Sequence, residues 1–91
     1  MANQVIRKQY LRSATSIGAN CCEACEAESK KDFIHKICIC KKETKESLYW
    51  LGLLLHANKE FEKEIKSLVD EVGEFIKIFS KIVITAKKNS K

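Results

Sequence analysis

The feature that most constrains this chain is an apolar repeat in steps of three and four residues that no proline interrupts. The 91 residues contain no proline and only three glycines. They are rich in Lys, Glu, Leu, Ile and Ala, a composition that favours helices. An apolar residue at every third or fourth position forms a stripe along one side of a helix. The sequence therefore predicts an all-α protein in which long amphipathic helices pack side by side.

The repeat predicts three helices, over about 3–28, 30–56 and 59–86, followed by a frayed tail over 87–91. Ser29 is the predicted N-cap of the second helix because Asp32 follows at the third position, as in a capping box. The third helix has the widest apolar stripe, so we expect it to contact two or more neighbouring helices. That stripe contains Phe61, Ile65, Leu68, Val72, Phe75, Phe79 and Ile82, with Val69, Ile76 and Val83 beside it.

Short connections between long helices favour an up-and-down antiparallel arrangement, which has a consequence for charge. The net charge is +5, from 17 basic and 12 acidic residues. Antiparallel packing brings many of the lysines to one end of the bundle, where a phosphate group could bind. A solvated third helix whose charges match its macrodipole explains the same pattern without a ligand. The lysines of this end are Lys30, Lys31, Lys36, Lys77, Lys81, Lys87, Lys88 and Lys91.

The five cysteines include a Cys22-x-x-Cys25 pair and a Cys38-x-Cys40 pair, which together resemble a metal-binding pattern. Residues two apart on a helix point about 160° away from each other. Cys38 and Cys40 therefore cannot both reach one metal ion at ~2.3 Å while the helix persists. We expect no metal site and no cofactor, and the cysteines are interpreted as small packed side chains and surface thiols. An oxidised Cys22–Cys25 pair is the alternative.

The sequence contains no pattern that indicates an active site. His35 and His56 lie more than five helical turns apart and have no neighbouring nucleophile with an orienting group. We therefore expect no catalytic residues and a protein that is not an enzyme. No apolar run reaches the ~18 residues of a membrane span, and no signal peptide is evident, so a cytoplasmic protein is expected.

Polar and aromatic residues of the first two helices indicate how the helices contact one another. Asn20 and Glu23 lie on one face of the first helix, and Glu43 of the second could lie across from them. We expect the three to form a buried hydrogen-bonded cluster that sets the register. Tyr49 and Trp50 are adjacent and cannot both face one core, so one is expected to pack inside and the other to form an oligomer contact.

A family resemblance extends over about Val5 to Leu55. The residues that carry it are Leu11-Arg-Ser-Ala-Thr-Ser-Ile-Gly-Ala-Asn20, Glu23-Ala24, Ala27-Glu28-Ser29, Asp32-Phe-Ile-His-Lys36, Lys42-Glu43 and Leu48-Tyr-Trp-Leu51. In these segments the chain resembles the bacterial 23S ribosomal RNA intervening sequence proteins. The resemblance implies a four-helix bundle that assembles as a ring-like homopentamer and has no known enzymatic activity. It also implies kinship with the accessory variability protein of diversity-generating retroelements, a basic pentamer that binds nucleic acid and a reverse transcriptase.

The sequence departs from this family at its beginning, where relatives have one further helix of about two dozen residues. We therefore expect three of the four family helices and an apolar face that another copy or a partner covers. Our main hypothesis is a non-enzymatic oligomeric bundle whose basic surface binds RNA, DNA or a nucleic-acid-processing partner. The alternative is a structural or adaptor module that receives a partner helix on its exposed apolar face. A thiol-based metal or redox sensor is a third hypothesis.

Overall fold

A computed structural model describes residues 2–89, which form three long helices and one short turn of 3₁₀ helix. The helices are α1 (Ala2–Cys25), α2 (Lys30–Ala57) and α3 (Glu62–Lys88), and the 3₁₀ turn is Lys59–Phe61. Residues 2–89 contain no strand, which confirms the all-α prediction. The last two residues of the predicted tail, Ser90 and Lys91, lie outside the described residues.

Local hydrogen bonds explain where the helices begin and end. The backbone N–H groups of Glu26 and Ala27 donate to carbonyls three residues back, at 3.1 Å each, so α1 ends in a tight turn earlier than predicted. The predicted N-cap of α2 is confirmed, because the Ser29 hydroxyl accepts the N–H of Asp32 at 3.0 Å. The 3₁₀ turn delays the start of α3 to Glu62.

The helices form an open layer in which α2 is central. Both α1 and α3 pack along α2, but within residues 2–89 no Cα atom of α1 lies within 8 Å of one of α3. The molecule measures 50 × 20 × 14 Å. The antiparallel order is borne out where Lys30 Nζ, at the start of α2, donates to the Asn89 carbonyl at 2.7 Å. The wide stripe of α3 predicts two or more helical neighbours. Within residues 2–89 its backbone closely approaches α2 and the 3₁₀ turn, and its Phe79 packs in one apolar cluster with Ile17 and Ala24 of α1.

The core consists of two apolar clusters separated by buried hydroxyl groups. One cluster contains Ile17, Ala24, Ile37, Cys40 and Phe79. The other contains Leu51, Leu54 and Val72. Between them lie Ser13, Thr44 and Ser47, each with no exposed surface. The α1–α2 contact is therefore apolar towards both ends and polar in the middle.

Candidate nucleic-acid interface

The predicted lysine-rich end is formed by the first turn of α2 and the last turns of α3. Five lysines lie there, and we refer to them as the basic edge: Lys30, Lys31, Lys81, Lys87 and Lys88. All five are exposed. None of them has a carboxylate within ion-pair distance among residues 2–89. The basic edge thus presents unneutralised ammonium groups to solvent, which attract anions.

Two other lysines predicted for this site are engaged elsewhere. Lys36 Nζ lies 3.3 Å from Glu23 Oε1, across the α1–α2 contact. Lys77 Nζ lies 3.4 Å from Glu74 Oε1 on its own helix and borders a groove with Leu48, towards the middle of α2. Such exposed pairs are weak, but they reduce the positive potential that each lysine offers to a ligand.

Acidic side chains occupy the α1 side of the same end and limit the interface to the α2–α3 side. A groove there is lined by Cys22, Glu23, Glu26, Glu28, Asp32 and Lys36. Its carboxylates would repel a phosphate group. The positive potential of this end is therefore confined to its α2–α3 side.

The outer face of α2, which is turned away from α1 and α3, extends the basic surface beyond the predicted residues. It contains Lys31, His35, Cys38, Lys42, Lys45 and Tyr49, all exposed. Neither Lys42 nor Lys45 has an ion-pair partner in the described part of the chain. The distance from Lys31 to Tyr49 along the helix axis is about 27 Å at 1.5 Å per residue. In the sequence, polar and aromatic residues recur at helical spacing on the side of α2 opposite its apolar stripe, at positions 31, 35, 42, 45 and 49. This repeat could have identified the outer face.

The structure does not bring the predicted polar cluster of Asn20, Glu23 and Glu43 together. Asn20 Nδ2 donates to the Ser16 carbonyl of its own helix at 2.9 Å. Glu23 pairs with Lys36, and Glu43 Oε2 lies 3.6 Å from Arg12 Nη1. Each side chain finds a separate partner because the three lie at different levels and flanks of the α1–α2 contact. The buried polar contact between these helices is formed instead by the hydroxyls of Ser13 and Ser47, at 2.9 Å.

Tyr49 and Trp50 differ in burial, as the sequence predicts for adjacent residues of a helix. Tyr49 is 60% exposed, whereas Trp50 is partly buried. The two rings meet edge to face, with centroids 5.0 Å apart. The Trp50 Nε1 atom is buried and has no hydrogen-bond partner within residues 2–89. Their role as oligomer contacts stays a prediction.

The cysteines divide into exposed thiols and one close pair. Cys22, Cys25 and Cys38 are exposed, whereas Cys40 is buried with its Sγ 3.4 Å from that of Cys21 on α1. Burial, followed by the hydrogen bond with Cys21, raises the pKa of Cys40 to about 12. In the described part of the chain, no three His, Cys, Asp or Glu side chains form a group that could hold a metal ion.

Alkylation should distinguish these thiols. Under native conditions we expect iodoacetamide to modify Cys22, Cys25 and Cys38 readily and to leave Cys40 unmodified, because a buried thiol with a raised pKa supplies little thiolate. Mass spectrometry of peptides after brief labelling measures this, with labelling in denaturant as the control. Modification of Cys40 at the rate of Cys38 in the folded protein would contradict the buried thiol.

No helix within residues 2–89 is long and apolar enough to span a membrane.

Comparison with known proteins assigns the chain to a family. The family model of the 23S rRNA-intervening sequence protein matches residues 2–81. One similar solved structure is a protein of unknown function from the S23 ribosomal protein family of Bacteroides thetaiotaomicron VPI-5482, 42% identical, with a TM-score of 0.83. The match covers 87% of this chain and 73% of that chain. A search among curated proteins found no match. The chain, with its three helices and its basic edge, therefore belongs to the 23S rRNA-intervening sequence protein family.

Proposed function

We propose that this protein is a non-enzymatic helical protein that binds nucleic acid through its phosphate backbone. The observation that carries the proposal is the basic edge, five exposed lysines without an ion-pair partner among residues 2–89. The family description, which names 23S rRNA, supports an RNA ligand. A nucleic-acid-processing protein is the alternative ligand of the same basic surface.

The side chains at this surface favour phosphate contacts over recognition of base sequence. Lysine ammonium groups are mobile point charges, whereas base readout requires donors and acceptors held in a fixed arrangement. Lys42 and Lys45 on the outer face of α2 add charge along a line that starts at Lys31. Tyr49, at the far end of that line, offers an exposed ring on which an unpaired base could stack. Binding should therefore depend on the number of lysines engaged and little on sequence.

Replacing four lysines of the basic edge by glutamine should weaken RNA binding and flatten its salt dependence. In the variant Lys31→Gln, Lys81→Gln, Lys87→Gln and Lys88→Gln, each lost phosphate contact lowers the slope of log K against log salt by about 0.7–0.9. Fluorescence anisotropy with labelled single-stranded and duplex RNA and DNA, across a salt series, measures both the affinity and the slope.

The chain offers a matched control at its other end. Lys8→Gln, Lys59→Gln, Lys63→Gln and Lys66→Gln remove the same charge near the start of α1 and α3. We expect this control to keep the wild-type slope of log K against log salt. Acidic residues lie among the lysines at positions 59, 63 and 66 and reduce the positive potential there. Equal losses in the two variants would show a dependence on net charge alone and would overturn the proposed interface.

A further inference from the structure

Two thiols on different helices, Cys21 of α1 and Cys40 of α2, meet inside the protein. Their Sγ atoms lie 3.4 Å apart. The Cys40 Sγ atom also lies 3.7 Å from the carbonyl oxygen of Ile17, which is one turn before Cys21 on α1. The buried Cys40 thiol is therefore held against a single turn of α1. Among residues 2–89, no other two thiols make such a contact.

The position of the two sulfur atoms favours a covalent bond between the helices. The bonded S–S distance is about 2.05 Å, so the sulfurs need to approach each other by about 1.4 Å. Modest rotations of both side chains about their Cα–Cβ bonds supply a shift of this size. The neighbouring buried side chains Ala24 and Thr44 are small, which lets the two helix backbones approach as closely as a disulfide requires.

The two thiols differ in their access to a dissolved oxidant. Cys21 is partly exposed, whereas Cys40 is buried and has a raised pKa, so the oxidant reaches Cys21 first. Cys40 then needs no access to solvent, because the sulfur that it attacks is already beside it. Few Cys40 thiols are ionised at neutral pH, but a thiolate of high pKa is a strong nucleophile.

We propose that Cys21 and Cys40 are a redox-sensitive pair whose disulfide fixes α1 to α2. With a small disulfide such as oxidised glutathione, the Cys21 thiolate attacks one glutathione sulfur and the other glutathione leaves as a thiolate. The Cys40 thiolate then attacks the Cys21 sulfur of this mixed disulfide, and the second glutathione leaves. The two protons of the cysteines pass to the two glutathione thiolates, and two electrons reduce the glutathione disulfide. Excess reduced glutathione reverses both steps.

The helix that this bond restrains is α1. Within residues 2–89, its backbone closely approaches that of α2 alone. The ion pair between Glu23 and Lys36 near the same end of α1 is largely solvated and therefore weak. A disulfide that closes a loop of about 20 residues lowers the equilibrium constant of unfolding on the order of 100-fold. Oxidation should thus hold α1 on α2 under conditions in which the reduced protein opens.

A variant that retains only the proposed pair tests the bond. Cys22→Ser, Cys25→Ser, Cys38→Ser removes the three exposed thiols. After the folded variant is incubated with oxidised glutathione, trypsin should release residues 13–30 linked to residues 37–41, with the loss of two hydrogen atoms. A non-reducing denaturing gel should show a single chain, and dithiothreitol should separate the two peptides.

The matched control is Cys21→Ser, Cys40→Ser, which keeps the three exposed thiols. It should give no link between these two peptides within one chain, because Cys38 lies on the outer face of α2. In the wild-type protein, the free thiols are blocked in denaturant after oxidation, and the disulfides are then reduced and labelled. The label should appear on Cys21 and Cys40.

Unfolding in urea measures the effect of the bond on the fold. Oxidation of the three-serine variant should lower the equilibrium constant of unfolding on the order of 100-fold, and dithiothreitol should reverse this change. The control should unfold at the same urea concentration before and after treatment. The disulfide stands independently of nucleic-acid binding, since neither cysteine belongs to the basic edge.

Four results would overturn the proposal. The first is the absence of the linked peptide, and the second is a link that forms only between chains. The third is an equal yield of the link when the protein is oxidised in urea, since the fold would then not bring the thiols together. The fourth is a urea midpoint that oxidation leaves unchanged. Label confined to Cys22 and Cys25 in the wild-type protein would establish the oxidised pair within α1 instead.

Discussion

Replacing Leu51 by alanine is expected to destabilise the fold by about 2–5 kcal/mol, the range for deleting a buried leucine side chain. Leu51 is 1% exposed and packs with Leu54 and Val72 in the cluster that holds the first half of α3 against α2. Partly buried side chains pack around this cluster, and the size of the loss depends on how far they close the cavity; they are Ile6, Tyr10, Leu48, Ile65 and Val69. A domain of this size has a total stability of roughly 5–14 kcal/mol. The substitution therefore removes a large part of it.

Denaturant unfolding followed by circular dichroism measures the Leu51 effect, at one protein concentration because self-association would add to stability. Ile84→Ala is the control. Ile84 lies on α3 but is 58% exposed, and such a surface change should alter the free energy of unfolding by no more than about 0.5 kcal/mol. Equal losses for the two variants would contradict the assignment of Leu51 to the core.

The helices of this protein could be predicted because their signals are local. The capping of α2 by Ser29 depends on two residues that are three positions apart. The apolar period can be recognised in one helix without knowing which helix packs against it. The end of α1 was predicted three residues too late, at Glu28 instead of Cys25. No glycine or proline marks that end, and the tight turn after Cys25 is visible only in the backbone hydrogen bonds.

The open side of the layer could be predicted in part. The width of the stripe correctly indicated more apolar surface than α2 alone can cover, and its residues Phe61, Leu68 and Phe75 are left exposed. The sequence does not show which neighbour is missing, because a stripe is the same whether its cover is a helix of the same chain or another molecule. The prediction that α3 contacts two or more helices is met in part: in residues 2–89 its backbone approaches that of α2, and its Phe79 shares an apolar cluster with Ile17 and Ala24 of α1.

The candidate site, like the fold, could be predicted from the sequence only where it does not depend on side-chain contacts between helices. Antiparallel packing was enough to place Lys30 near the end of α3. It could not show that Lys36 reaches Glu23 on α1, because that contact depends on side-chain conformations across two helices. Nor could it separate the acidic side of this end, with Glu26 and Glu28, from the basic edge.

The buried polar contact between α1 and α2 shows most clearly what sequence reasoning missed. Serine and threonine in helices often bond a carbonyl of their own helix, as Thr15 does with that of Leu11 at 2.8 Å. Ser13 does the same by donating to the Tyr10 carbonyl at 3.0 Å. Nothing in the sequence therefore distinguishes Ser13 as a residue that also contacts the neighbouring helix. Longer polar residues such as Asn20 and Glu43 appeared better suited, yet a long side chain can reach a flank and stay partly solvated. A short hydroxyl fits the close approach of two helices.

Replacing Ser13 by alanine should lower the free energy of unfolding more than replacing Ser47, because the two hydroxyls play unequal roles. Ser47 Oγ donates to Ser13 Oγ, and Ser13 Oγ donates in turn to the Tyr10 carbonyl. Ser13→Ala leaves the Ser47 donor unpaired in a site with no exposed surface, a loss of about 1–3 kcal/mol. Ser47→Ala leaves Ser13 with its donor still satisfied, so the loss should be nearer the net value of one hydrogen bond, about 0.5–1.5 kcal/mol.

The double variant Ser13→Ala, Ser47→Ala should be less destabilised than the sum of the two single variants. Once both hydroxyls are gone, no buried donor is left without an acceptor, and contacting pairs of this kind couple by about 0.5–3 kcal/mol. Denaturant unfolding of the four proteins measures the coupling. Thr15→Ala, an exposed hydroxyl on the same helix, serves as the control and should change stability by no more than about 0.5 kcal/mol. Strictly additive losses would mean that the two hydroxyls act independently and that the hydrogen bond between them does not set the register of α1 against α2.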